Sequence, residues 1–332
     1  MASWTVAKVV HFEPRDLVKD GFVHFGFYDR SGRHYLLAHQ KHFLGLVGPD
    51  YELAWTVSSH EVLPGVLNIA AEIQFPIYVD LLFDGRLVVA NFGDGRVFTV
   101  DVAKMKADLF VDGPALGIRR AGNCVVDDEG CVWVNEVEGC KVWRFDSAGK
   151  PLLTLGDGKP GFQAGSVSFE KARFNWIYDI RKGPDGNVYV LDSRNFALRV
   201  IDLSESQVRT IAGNGRGGYD GDGGPADKAT FGSNPKAKFD GPISLSLDEV
   251  GNVFVGDRYN HVVRMIDVSS GLIETIAGRK VADREMRNKP DESDPHNLNL
   301  PEISSMDYFR GQLMVPTDLA SGGDLAVLRR TT

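Results

Sequence analysis

The chain writes one stretch of sequence twice. Gly186-Asn187-Val188-Tyr189-Val190-Leu191-Asp192 returns as Gly251-Asn252-Val253-Phe254-Val255-Gly256-Asp257, an offset of 65 that holds without a gap. It continues through Asn195 and Asn260, Arg199 and Arg264, and Ile201-Asp202 and Ile266-Asp267, to Thr210-Ile211-Ala212-Gly213 and Thr275-Ile276-Ala277-Gly278. Self-similarity on this scale predicts a repeat architecture, and few other features of a 332-residue chain narrow its fold so far.

In both copies the opening Gly stands sixteen residues before an Asp, and that spacing recurs from Gly130 to Asp146 and from Gly85 to Asp101. Each copy alternates short apolar runs with polar turns, as in Val132-Trp133-Val134, Glu136-Val137-Glu138-Gly139 and Val142-Trp143-Arg144-Phe145. Runs rich in β-branched and aromatic residues, bounded by Gly, Asn and Asp, predict strands joined as hairpins. Degenerate copies open at Gly32 and Gly311.

The starting glycines Gly32, Gly85, Gly130, Gly186, Gly251 and Gly311 have a mean spacing of about 56 residues. One apolar run precedes each glycine and another follows each closing Asp, so every unit holds four strands, the content of a propeller blade. The expectation is an all-β, six-bladed propeller forming one domain over 1–332, although that length would ordinarily prompt a division into two. The last unit runs out after its third strand, at Arg329, while Trp4-Thr5-Val6-Ala7-Lys8-Val9-Val10 is an orphan strand. Pairing the two would close the last blade and leave no open edge.

Gly251-Asn252-Val253-Phe254-Val255-Gly256-Asp257-Arg258-Tyr259-Asn260-His261-Val262 resembles the NHL repeat, named for an Asn-His-Leu signature of which Asn260-His261 keep two letters. Gly213 to Ala226 is similar to the connection seen between bacterial NHL repeats. The likeness is strongest over roughly 175–280 and weaker over 75–156. Among propellers similar to this one, the resemblance implies either an enzyme with a metal held by axial Asn, Asp, Glu or His side chains, or a binding scaffold; it fixes neither.

A net charge of −8 argues against a phosphate-binding surface, so no nucleic-acid partner is expected. No apolar run approaches the ~20 residues of a membrane span and the first residues show no basic-then-apolar leader, so the expected protein is cytoplasmic with no membrane partner. Cys124, Cys131 and Cys140 fall in one unit without CxxC spacing and read as reduced core thiols. Gly213-Asn214-Gly215 lacks the helix that a phosphate-binding glycine loop would open, and no Walker loop, GxSxG elbow or HExxH motif occurs, so no nucleotide cofactor is expected.

Tight, uniform first turns such as Asp84-Gly85 and Asp185-Gly186 mark one rim of the ring. The long connections, from Gly213 to Asp240 and from Gly278 to Leu300, mark the other. Variable connections on a rigid scaffold usually carry function, so the loop-rich mouth is the expected site. Seven of the eight histidines, all but His34, map to that rim.

Equivalent positions of successive blades converge on the axis as rings. One ring holds Asn91, Glu136, Asp192 and Asp257; another, at the starts of the inner strands, holds Tyr78, Asn123, Asp179 and Ser244, with Glu302 or Ser304. Asp192 and Asp257, with Asn195 and Asn260, read as turn caps. Glu136 and Asn91 break that consensus and are the more interesting for it.

The candidate ligands of a divalent metal, Ca or Zn, are therefore Asn91, Asn123, Glu136 and Asp179, whose oxygens suit hard cations. The candidate proton carriers are His24, His39, Glu136 and Asp179. Tyr78, Arg119, Trp176, Tyr178 and His296 are candidate substrate contacts on the same rim. The expected function is a metal-assisted lyase or hydrolase acting on a small molecule. The alternative is a non-enzymatic scaffold for a protein or small ligand.

Overall fold

A computed structural model describes residues 3–11, 25–28, 34–38, 43–47, 53–58, 66–67, 76–104, 106–238, 240–279, 293–301, 303, 305–316 and 324–331. The doubled glycines set the first turn of each blade. In the 121–155 blade the Asp127 carboxylate accepts the N–H groups of Glu129 (3.0 Å) and Cys131 (2.9 Å), and Gly130 takes the left-handed conformation at φ 77°. Asp248 does the same for Val250 and Asn252, with Gly251 at φ 94°. A side chain that satisfies its own turn, followed by a residue with no Cβ to strain, reverses the chain in four residues.

Between these turns the strands are antiparallel, and burial is greatest in the second strand of each blade and least in the outermost. The 76–111, 121–155 and 244–278 sheets each have four strands in chain order. The 166–212 sheet has five, because Ser166–Ser168, in the connection from the previous blade, pairs onto the outer strand Gln207–Ala212. Outer strands such as Lys106–Val111 and Pro151–Leu155 are largely exposed, whereas Leu87–Asn91, Val132–Glu136 and Val188–Asp192 are buried at every position. The core thus lies between blades, where Trp133, Phe145, Phe174, Phe231 and Phe254 are fully buried. Cys124, Cys131 and Cys140 are buried there as free thiols.

The last blade is built from both ends of the chain, as the sequence predicts. Trp4–His11 pairs antiparallel with Asp324–Arg330, from Trp4 opposite Arg330 to His11 opposite Asp324. Trp4 is buried, edge-on to Phe254 with ring centroids 5.4 Å apart, so the clasp is anchored in the neighbouring blade.

Blade number departs from the expectation of six. Five blades are described through their side chains; the 25–67 sheet, with strands Phe25–Tyr28, His34–Ala38, Phe43–Val47, Leu53–Ser58 and Val66–Leu67, is described by its strand pairing. Its sequence also departs from the repeat grammar, since Gly48 stands where the units opening at Gly85, Gly130, Gly186 and Gly251 close with Asp.

The inner strands Pro76–Leu81, Ala121–Val126, Ile177–Lys182, Ser244–Leu247 and Asp307–Phe309 lie in succession around the axis. Polar side chains tie each to the next. Val126 N–H donates to Asp80 Oδ2 (2.8 Å), the Asn123 amide donates to Asp179 Oδ1, Leu245 N–H donates to Asp179 Oδ2 (2.9 Å) and Tyr308 N–H donates to Ser246 Oγ (2.9 Å). Adjacent inner strands belong to different sheets, so these bonds give the hub a continuity that backbone pairing does not.

Candidate functional site

The pleat of the inner strands lines up two rings of side chains, two residues apart along each strand. The first is the predicted ring of Tyr78, Asn123, Asp179 and Ser244. Its last member is Ser305, two residues before Asp307; the expected Glu302 and Ser304 lie outside the described residues. The second ring, deeper along the strands, comprises Asp80, Val125, Arg181, Ser246 and Asp307. All five pair with the residue three beyond their blade's starting glycine, namely Val88, Trp133, Tyr189, Phe254 and Met314. Asp307 enters this register because the first turn of the last blade is one residue shorter, which is why glycine spacing alone misplaces it.

This second ring opens into a cavity of about 530 Å³. Its mouth is formed by the first turns, through Asp128, Pro184, Glu249 and Arg310, and so lies at the tight-turn rim rather than the loop-rich one. Arg181 is its most constrained member. It is 7% exposed, pairs with Asp179 at 2.8 Å and lies 4.2 Å over the ring of Tyr78, while its Nε is buried without a hydrogen-bond partner. Burial opposes its charge, but the carboxylates of Asp179, Asp307 and Asp80 raise its pKa, so it stays a cation. Burial also pushes Asp179 up to about 6, against the pull of Arg181, and holds the Tyr78 phenol protonated.

Asn123 and Asp179 are the two predicted metal ligands that the structure places in direct contact. Asp179 accepts from Asn123 and Leu245 N–H and pairs with Arg181, so its oxygens serve the hub and face a guanidinium where a metal shell would need them. Among the described residues no group of three or more His, Cys, Asp or Glu is placed to share a metal ion.

Asn91 and Glu136 end the second strands of their blades, at the second turns, and here the repeat explains Glu136. In the 166–212 blade Asp192 accepts from Asn175 N–H (2.7 Å), from Asn195 Nδ2 (2.8 Å) and from the fully buried Arg199 (3.2 Å). Asp257 repeats this with Gly232 N–H (2.7 Å) and Asn260 (2.8 Å). Glu136 takes the corresponding bond from Arg119 N–H (3.3 Å), and Gly139 stands where the Asn would be, its missing Cβ leaving room for the longer carboxyl. Asp-x-x-Asn has become Glu-x-x-Gly with the cap retained. Asp192, like Asp179, is pushed up to about 6 by burial, opposed by Arg199.

The remaining candidates scatter. Trp176 has φ 61° and stacks under Arg194 at 4.1 Å; Tyr178 is half-buried; the Arg119 side chain is exposed. His296 is exposed in the turn Pro295–Asn297, its N–H held by Asp294 (2.9 Å). His24 and His39 lie outside the described residues. Arg181, Asp80, Ser246 and Asp307 were not among the candidates, although alternation from Tyr78 and Asp179 points to the same face one pleat on.

No family model matches the chain. Over 210 residues it is 28% identical to human NHL repeat-containing protein 3, covering 59% of this chain and 52% of that protein. It is 32% identical over 87 residues to SUPPRESSOR OF QUENCHING 1 of Arabidopsis thaliana, covering 26% of this chain and 7% of that protein. The chain thus spans about half or less of the length of these curated relatives.

This chain is a β-propeller similar to NHL repeat-containing protein 3.

Solved structures similar to this propeller include an inactive virginiamycin B lyase from Staphylococcus aureus crystallised with quinupristin (TM-score 0.61, 9% identity, 99% of this chain and all of that one). A gluconolactonase from Xanthomonas campestris aligns with TM-score 0.58 at 12% identity, over 100% and 96% of the two chains. An auxiliary nutrient binding protein from Bacteroides thetaiotaomicron aligns with TM-score 0.63 at 12% identity, over 98% and 76%. At these identities the likeness is one of fold. Among the described residues of this propeller no helix is long and apolar enough to cross a membrane.

Proposed function

We propose that this propeller binds a small molecule in the axial pocket at its tight-turn mouth. The observation that carries the reading is Arg181: a buried guanidinium with an unpartnered Nε, lining a cavity of about 530 Å³ on the axis of the ring. A pocket of that size matches those that enclose small ligands, and converging polar groups are how such pockets fix orientation. We also infer that the 25–67 sheet takes a sixth place around the axis. In support, Phe25–Tyr28 neighbours Asp307–Phe309 on one side and His34–Ala38 neighbours Pro76–Leu81 on the other.

A thermal-shift screen of polar metabolites against the native chain and Glu249→Trp tests the reading. Glu249 is exposed at the mouth, so a bulky substitution there obstructs the pocket without entering the core. Ligands of the axial pocket stabilise the native chain and lose at least tenfold in affinity in the variant. Hits that bind both equally refute the site.

A second reading is a metal-assisted lyase or hydrolase at the loop-rich mouth, with Glu136 and Asn91 among its ligands. The fold shared with virginiamycin B lyase and a gluconolactonase favours it. Metal analysis of protein purified without chelator decides it: stoichiometric metal lost in Glu136→Ala supports the enzyme, and metal-free native protein removes it.

A further inference from the structure

We propose that the occupant of the axial pocket is a neutral polyhydroxylated molecule of the monosaccharide or cyclic-polyol class; this rests on reading that pocket as a ligand site. The charges that line it are already engaged. Lys182 pairs with Asp128 at 2.6 Å and Arg181 with Asp179 at 2.8 Å. Asp248 pairs with Arg330 at 3.6 Å, and the Tyr308 hydroxyl donates to the Glu249 carboxylate. Asp80 accepts the N–H groups of Leu81 (2.7 Å) and Val126 (2.8 Å), and Asp307 accepts from Ser246 Oγ (3.4 Å). Arg310 lies 4.9 Å over the ring of Phe309. A charged ligand entering such a lining gives up its hydration and finds the opposite charges taken, whereas a neutral polar one has far less hydration to lose.

The same pairing suits hydroxyls. Asp128 with Lys182, and Glu249 with Tyr308, each set an acceptor beside a donor, and all four side chains line the cavity while partly or fully exposed. A hydroxyl donates one hydrogen bond and accepts others, so it joins both halves of such a couple at once. An ionised carboxylate only accepts and an ammonium only donates, so each satisfies one half and competes with the other. Pro184 and Leu247, also in the lining, give apolar surface for the C–H face of a ring whose edge carries the hydroxyls.

Titration calorimetry on the native chain tests the class, with glucose, mannose, galactose and myo-inositol as neutral polyols, glucosamine and gluconate as charged ones, and cyclohexanol as a ring with a single hydroxyl. At least one neutral polyol is expected to bind with Kd of about 1 mM or tighter, roughly tenfold ahead of the charged probes and of cyclohexanol. Splitting a couple should create a charge preference. Lys182→Met leaves Asp128 without its cation and should move glucosamine ahead by about fivefold relative to the best neutral polyol; Asp128→Asn should do the same for gluconate. A melt of each variant checks that it folds, and the ranking on the native chain tests the class by itself if either does not. A charged probe that leads on the native chain, or cyclohexanol equal to the polyols, overturns the class, and loss of that binding in Glu249→Trp leaves the pocket standing. Absence of heat from every neutral polyol at about 10 mM overturns the class as well. Thermal-shift hits lost in Glu249→Trp then preserve the site, and hits indifferent to that change remove both. An unchanged ranking in folded Lys182→Met and Asp128→Asn overturns the role given to the paired charges.

Discussion

Replacing Arg181 by Met would test the electrostatics of the hub directly. Met keeps much of the stem volume but leaves the Asp179 carboxylate, 3% exposed, facing Asn123 and Leu245 N–H without a counter-ion. Breaking a buried pair by removing one partner costs about 3–5 kcal/mol. Unfolding entropy of about 2.1 cal/mol/K per residue, over 332 residues, is about 0.7 kcal/mol/K, so a loss of 4 kcal/mol lowers Tm by about 6 °C. The loss should depend on pH. Asp179 titrates near 6 with Arg181 present, and Arg181 is what pulls it down, so in the variant the carboxyl is protonated well above pH 6. At pH 8 the native chain has a paired carboxylate that the variant must neutralise, whereas at pH 5 Asp179 is largely protonated in both. Calorimetric melts at the two pH values should therefore show a larger deficit at pH 8, and Asp179→Asn combined with Arg181→Met should be more stable there than Arg181→Met alone. A pH-independent deficit under 1 kcal/mol, or strictly additive losses in the double variant, would refute the coupling.

Three further outcomes are expected. Gly139→Ala places a Cβ against the Glu136 carboxyl and should cost about 1–3 kcal/mol in denaturant melts, while Glu136→Asp with Gly139→Asn, restoring the consensus cap, should recover most of it. Burial raises Asp192 from 3.8 to about 6, so the folded state binds its proton more tightly and this group's contribution to stability is fully present below pH 4 and lost as pH rises through 6; about 3 kcal/mol is involved. Asp192→Asn, which cannot ionise, should therefore compare more favourably with the native chain at pH 8 than at pH 4.5, and the reverse order would show that Arg199 outweighs burial. Trp4→Ala removes the anchor of the clasp and should cost about 3–5 kcal/mol, with unfolding monitored at several concentrations to reveal pairing of the exposed edge.

The wheel was legible because its turns are chemically obligatory. A left-handed residue after an Asp cap demands Gly, so Gly130, Gly186 and Gly251 announce blades however far their strands drift. The clasp was legible because strands count in fours. The pocket was less so: long connections attract attention, yet Gly213 to Asp240 is largely occupied in covering its own blade, with Asp222 bonded to Arg264 (2.7 Å) and Gly218 N–H to Phe231 O (2.7 Å). Glu136 broke the consensus for a local reason, Gly139 beside it. Arg181 escaped notice although two residues from Asp179, because its importance lies in what two other blades bring to it.

The stitching of inner strands divides the axial positions into two kinds. Asp80, Asp179 and Ser246 each hold the backbone of the next spoke, so altering them loosens the frame as well as the hole. Val125, in the same ring, makes no such tie. In the proposed pocket, selectivity can therefore be retuned at Val125 and at the outward Glu249 and Arg310 while the frame is left standing, and laboratory evolution toward chosen ligands should accumulate its changes there first.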